Sequence, residues 1–299
     1  MIRIRRPSTN PILRLLTYLF RSLINAICRI DYFFSSTENQ MCVFSNQTMF
    51  RKVAIYACYM EVDANDERVI STLENSGWDV ITVINGSDGE TLNNMTFSRV
   101  NKGYDFGAFR DAIRSIQQAD QLLLINSSMY WNISKFEKIL VNLQMEKFEA
   151  IATYLTESLQ TNRHGQSFFL HFVFHPDSFT ISHLKEFFQE NIRNTRFKRT
   201  AVLYGEYGIY KFLEEKPIRI SFICEYNVVV KTYLNSQDSL TEKWVLSLLE
   251  KQVPLNPTQH LWWAAFDCGL PGIKKSLVKF NPAGVKFQTS NIQDRLNLK

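Results

Sequence analysis

Apolar positions recur along this chain in two rhythms, and the change comes near residue 50. In Pro11–Ile30 they return every three to four residues. Leu13, Leu16, Leu19, Phe20, Leu23 and Ile27 share one side of a helix, while Arg14, Thr17, Arg21, Asn25 and Arg29 take the other. With Arg3, Arg5 and Arg6 ahead of it, the segment reads as a basic amphipathic helix lying in a membrane interface. A bilayer span needs roughly 20 apolar residues with few charges, and Arg14 and Arg21 interrupt this one. A signal peptide is disfavoured because no small-residue cleavage site follows a clean apolar core. The alternative is a helix packed on the body with its arginines in water. Residues 31–50 are polar with short apolar pieces and read as a linker.

From Arg51 short apolar runs alternate with helical patterns. Val53–Tyr59, Val80–Ile84, Phe97–Val100, Leu122–Ile125 and Ala150–Leu155 read as strands; Asp66–Ser76, Ala108–Gln117 and Ile133–Gln144 read as helices. Gly77 ends the first of these helices, and Asn85-Gly86-Ser87-Asp88-Gly89 signals a turn after the second strand. The alternation predicts an α/β fold, a mostly parallel sheet with helices on its faces and right-handed crossovers. Beyond Thr156 the rhythm changes. Ser167–Phe174 and Ile218–Ile223 are strand-like, and Ser182–Asn191, Gly208–Glu215 and Leu240–Lys251 are helical. Arg193, Arg196, Lys198 and Arg199 form a basic loop. No Pro/Gly-rich linker divides 51–299, so the economical reading is one domain behind an arm and linker of residues 1–50.

Composition narrows the class. Of 299 residues, 45% are hydrophobic and 21% charged, ordinary globular values, while 23 Phe and 12 Tyr supply many aromatic surfaces. A formal net charge of +5 suits anionic lipid or phosphate without requiring nucleic acid, for which no signature appears. The five cysteines are odd in number and form no C-x-x-C pair, which favours buried thiols in a reducing compartment.

Two stretches carry candidate chemistry. Asn101–Arg110 (NKGYDFGAFR) sets Asp105 between Gly103 and Gly107, and Gln121–Tyr130 (QLLLINSSMY) ends an apolar strand in Asn126, Ser127 and Ser128. In an α/β sheet ligands sit beyond the carboxyl ends of the strands, so this pair reads as the floor of a binding crevice. Asp105 can bind sugar hydroxyls, hold a cation or accept a proton, or it can be an ordinary helix N-cap. Lys102 can face a diphosphate or water. Hydroxyls and an amide are poor sole ligands for a hard divalent cation, so no metal site is expected at the strand end. Glu206, in Y-G-E-Y-G, is a general-base or sugar-binding candidate, or a first-turn helix acid. His164, His171, His175 and His183 match no zinc spacing and read as structural. Neither a G-x-S-x-G elbow nor a P-loop is present.

In order along the chain stand N-K-G-Y-D-F-G-A-F-R, L-L-L-I-N-S-S-M-Y, G-Q-S-F-F-L-H-F, Y-G-E-Y-G, N-P-T-Q-H-L-W and G-I-K-K-S-L. In this order they resemble the rhamnan synthesis protein F family, over roughly residues 52–280. The resemblance implies a GT-A-like glycosyltransferase fold and work at the cytoplasmic face of a bacterial membrane. It further implies inverting transfer of a sugar from a nucleotide-sugar donor, dTDP-L-rhamnose being the one it points to, to a lipid-linked or growing surface polysaccharide. Residues 51–156 would form the donor half and 157–299 the acceptor half. Asn101, Gly103, Asp105 and Gly107 match the family's glycine-aspartate motif near the donor, and Asn126 and Ser128 its next strand end. Gln166 and Ser167 match its Q-S-aromatic element, Glu206 its motif acid and Lys274 its C-terminal lysine. The catalytic candidates are then Glu206 and Asp105. Where the family pattern has an aspartate this chain has Ser127, which puts an Mg or Mn cofactor in doubt and leaves Lys102, Arg110 or Lys274 to neutralise the leaving group. The same departure keeps open a non-catalytic module that binds glycan or nucleotide sugar within a polysaccharide assembly complex.

Overall fold

A computed structural model describes residues 11–38, 49–86, 91–93, 95–143, 149–160, 163–236, 240–286, 292 and 295–296. Arg3, Arg5, Arg6, Cys42 and the Ser87-Asp88-Gly89 part of the expected turn lie outside them, as do the side chains of Leu13, Arg14, Thr17 and Arg21.

The first half runs α1 (Pro11–Phe34), β1 (Met49–Tyr59), α2 (Ala64–Asn75), β2 (Asp79–Asn85), β3 (Thr91–Asn93), β4 (Thr96–Arg99), α3 (Tyr104–Ser115), β5 (Gln118–Asn126), β6 (Met129–Trp131), α4 (Ile133–Asn142) and β7 (Ile151–Ser158). There follow β8 (His164–Gly165), β9 (Phe169–Val173), α5 (Ile181–Asn191) and α6 (Lys198–Ala201). A π-helical turn, Val202–Glu206, joins α6 to α7 (Tyr207–Glu214). The remainder is β10 (Arg219–Cys224), α8 (Tyr226–Asn235), α9 (Lys243–Glu250), α10 (Trp262–Asp267), β11 (Gly272–Lys274) and α11 (Lys275–Phe280).

The strands order as β10-β7-β9-β5-β1-β2-β4-β3, with β8 added to the end of β7. β1, β2, β4, β5, β7 and β10 share one direction; β9, wedged between β5 and β7, runs against them, as do β3 and β8. This is the mostly parallel α/β sheet expected. Its central strands are apolar without alternation because both faces are covered. Along β1, Ala54, Tyr56 and Cys58 enter a core with α2, α4 and α8–α10. Val53, Ile55 and Ala57 enter another with α3, α5 and α7. Cys28, Cys58 and Cys224 are buried free thiols.

Several expected boundaries shift. The first helix continues to Phe34 and residues beyond it are held to the body, since Asn194 donates to Ser36 Oγ (3.2 Å) and to Glu38 O (2.9 Å). A linker was expected there. Lys198 and Arg199, expected in a loop, begin α6. α8, α10, α11, β3, β6, β8 and β11 had no counterpart in the sequence reading; most are short, and packing rather than local periodicity defines them.

α1 packs on the body, as in the alternative reading, and Arg29 is exposed, but the apolar side does not make the contact. Its apolar residues Leu16, Leu19, Leu23, Ile27 and Ile30 are exposed. Asn25, Cys28 and Tyr32 make the contact with the body. Arg199 Nε donates to Asn25 Oδ1 (3.5 Å), Thr200 Oγ1 to Cys28 O (3.5 Å), and the Tyr32 ring stacks on Tyr204 at 3.6 Å between centroids. No described helix is long and apolar enough to cross a membrane.

Candidate functional site

β1 and β5 lie side by side, and the chain leaving β5 stays beside β1 for one more bond, Ser127 N donating to Ala57 O (2.9 Å). Asn126 then fixes the site with both ends of its amide. Its Oδ1 accepts from Ser128 N (3.0 Å), and its Nδ2 donates to Asp105 Oδ2 (2.9 Å). Asp105 stands in the first turn of α3, where the helix dipole favours an acid. It does not cap the helix: Gly103 does, with φ +77°. A Cβ there would lie 2.7 Å from Arg193 O, so glycine is required both by conformation and by space. At Gly107 a Cβ would overlap Lys102 O and lie 2.9 Å from the Arg99 guanidinium. Both glycines therefore serve backbone packing below the pocket.

Lys274 arrives from far along the chain. β11 pairs antiparallel with β6, placing Lys274 opposite Met129, and Lys275 N donates to Ser128 O (2.8 Å). The ribbon is pinned by Lys275, whose Nζ lies 2.7 Å from Asp63 Oδ2 and 2.9 Å from Asp66 Oδ1. Tyr56 also donates to Asp66 Oδ1 (2.8 Å). Burial lowers the Lys275 pKa, but the hydrogen bonds it donates to Asp63 and Asp66, with their charge, outweigh it and leave it raised. Adjacent lysines thus divide the work: Lys275 is an ion-paired clamp, and Lys274 points into the pocket.

Glu206 comes from the third side, at the end of the π-helical turn, a feature common at functional sites. Gly205 beside it allows close approach to α3, because a Cβ there would overlap the Phe106 ring. Glu206 Oε1 lies 3.3 Å from Nε2 of buried His164, whose ring meets Tyr207 edge-on at 4.4 Å between centroids.

One pocket gathers six of the residues singled out from sequence: Asp105, Asn126, Ser128, Ser167, Glu206 and Lys274. Lys198 and Phe168 also line it. The Asp105 carboxyl sits deep, and burial raises its pKa with help from Glu206; Lys198, Lys274 and the Asn126 hydrogen bond pull it down without cancelling the rise. Burial lowers the Lys274 pKa, against the opposing pull of Glu206.

Other expected residues lie elsewhere. Lys102 is exposed and outside the pocket lining; its carbonyl accepts from Arg99 Nη2 (2.8 Å). Asn101 is half-buried. Gln166 is buried with its amide engaged, accepting from Thr156 Oγ1 (3.0 Å) and donating to Asn256 Oδ1 (3.3 Å). Arg110 is corrected as a leaving-group partner: it is fully buried, with Nη2 2.6 Å from Asp111 Oδ1, which also belongs to a network with Arg99. Sequence reasoning passed over Lys198 and His164. Lys198 carried a weak signal as part of a basic cluster, whereas nothing in the spacing pairs His164 with Glu206.

For the Mg or Mn ion of the GT-A-like resemblance, these donors do not fit. The strand end offers an amide already engaged and two hydroxyls, Asp105 is engaged by Asn126, and two ammonium groups stand in the same pocket.

No family model matches the chain. It is 28% identical over 258 residues to the virulence protein VirA of Vibrio anguillarum, covering 78% of this chain and 81% of that one. Among solved structures, it is similar to a glycosyltransferase involved in the glycosylation of the major capsid of PBCV-1. That likeness has a TM-score of 0.37 and 15% identity, over 57% of this chain and 81% of the other.

Proposed function

We propose that the protein is a glycosyltransferase that moves a sugar from a nucleotide-sugar donor to a lipid-linked or growing bacterial surface polysaccharide. The observation that carries this is the convergence of Asp105, Asn126, Ser128, Ser167, Glu206 and Lys274 beyond the carboxyl end of β5. They come from five separate segments of the chain, and this is where an open α/β sheet binds its ligand. Glu206 accepts the proton of the acceptor hydroxyl while that oxygen attacks the anomeric carbon. The bond from this carbon to the diphosphate oxygen breaks, its electron pair leaves with the diphosphate, and the configuration inverts. His164 orients the Glu206 carboxylate, and Asp105, held by Asn126, receives donor hydroxyls; Asp105 is the second candidate for the base. L-Rhamnose, carried as dTDP-L-rhamnose, is the sugar favoured by the motif resemblance.

The exposed apolar side of α1 supports attachment to the inner face of the bacterial membrane. α1 docks on α6 and Tyr204, and the same helical run supplies Lys198 and Glu206 to the pocket. A membrane-bound α1 therefore sets the pocket close to a lipid-linked acceptor.

Purified protein incubated with a panel of nucleotide sugars and a lipid-linked acceptor, with product detected by mass spectrometry, tests the reading. Transfer from at least one donor is expected; no transfer and no nucleotide-sugar binding by calorimetry would overturn it. Ser127, in place of an acid, favours a second reading, a glycan- or nucleotide-sugar-binding module, which would bind donor without turnover.

A further inference from the structure

The pocket holds more hydrogen-bond donors than the protein itself uses. Among the described residues Ser128 Oγ and Ser167 Oγ are buried without a hydrogen-bond partner, an unfavourable state for a hydroxyl. Both residues line the pocket. Lys198 and Lys274 line it too, and among the described residues neither stands in an ion pair, whereas neighbouring Lys275 has two. The two carboxylates present are already engaged, Asp105 by Asn126 Nδ2 and Glu206 by His164 Nε2. Two ammonium groups and two unpaired hydroxyls are thus left facing one space. Such a donor set suits a multiply charged anion with several oxygens.

We propose that Lys198, Lys274, Ser128 and Ser167 form a metal-free diphosphate cradle. Under the glycosyltransferase reading, on which only this role rests, the cradle takes up the charge on the departing nucleoside diphosphate. The electron pair of the broken bond to the anomeric carbon ends on a diphosphate oxygen, stabilised there by fixed ammonium and hydroxyl donors. Lys274 is held by the β6–β11 ribbon and by the Phe168 ring, 5.1 Å from its Nζ, so its position is set before the ligand arrives.

The test is calorimetric titration of the full-length chain with inorganic pyrophosphate in EDTA. Binding is expected in EDTA without any added metal, and it should weaken with ionic strength. Lys274→Met and Lys198→Met should each weaken it about tenfold or more, and Ser167→Ala several-fold. Lys198 is exposed, so its variant reports on the cradle even where a buried substitution disturbs folding. Absence of pyrophosphate binding, binding only with added metal, or unchanged affinity in both lysine variants would overturn the cradle. Sugar transfer abolished by EDTA and restored by Mn would overturn the cradle and keep the glycosyltransferase. Pyrophosphate binding in EDTA with no transfer from any donor would keep the cradle and overturn the glycosyltransferase.

Discussion

Asn126 Nδ2 donates to Asp105 Oδ2 over 2.9 Å, tying the end of β5 to the first turn of α3. That contact fixes the pocket floor, and it leaves a carboxyl whose pKa burial has raised. Such a group binds its proton more tightly in the folded state. It therefore favours folding at low pH, and this contribution is lost as pH rises from its unfolded value of 3.8 through the raised folded one. Asp105→Asn removes the titration. Thermal melts should show the variant above wild type at neutral pH. The gain should vanish near pH 4, and sugar transfer should fall.

Glu206 is the candidate base. Glu206→Gln should lower kcat by about 10²–10⁴ with little change in donor affinity, measured by product formation and by donor titration. His164→Gln should lower kcat by less than the Glu206 variant does, since His164 only orients the Glu206 carboxylate, which it meets at 3.3 Å. Full activity in the Glu206 variant would remove it as the base.

The close approach at Gly205 yields a stability prediction. A methyl group there meets the Phe106 ring, so Gly205→Ala should cost about 1–3 kcal/mol in denaturant unfolding. Phe106→Leu in the same chain should recover part of the loss, which a general helix effect of alanine would not allow.

Two adjacent lysines should behave oppositely. Lys275→Met leaves Asp63 and largely buried Asp66 without their cation and should cost about 3 kcal/mol of stability. Lys274→Met breaks no ion pair among the described residues and should leave the melting temperature near wild type. Differential scanning calorimetry of both variants separates the clamp from the pocket lysine.

Leu19 and Leu23 on α1 are exposed. Leu19→Glu with Leu23→Glu should therefore leave the melting temperature unchanged while abolishing co-sedimentation with vesicles containing anionic lipid. Retained vesicle binding would refute the α1 anchor.

Much of the architecture was legible in the sequence because burial on both faces writes uninterrupted apolar runs into β1, β2 and β5. The antiparallel placement of β9 between β5 and β7 was not, since Phe169–Val173 is equally apolar in either direction. Glycines in the NKGYDFG and YGEYG motifs were visible as a pattern, but their reason was not. Gly103 and Gly107 accommodate backbone and the Arg99 guanidinium, and Gly205 accommodates Phe106; those partners are set by packing.

The turn at Asn101–Arg110 and the polar strand end in Gln121–Tyr130 were legible in the sequence alone, because local turn chemistry and strand ends are short-range properties. Which groups face them was decided only by the tertiary structure. Lys274 is carried there by a ribbon, Glu206 and Lys198 by one helical run with a π turn, and His164 by a short strand. These juxtapositions span from 42 residues of chain (His164 to Glu206) to 169 (Asp105 to Lys274), where side-chain periodicity carries no information and only the closing of the two cores brings distant segments together.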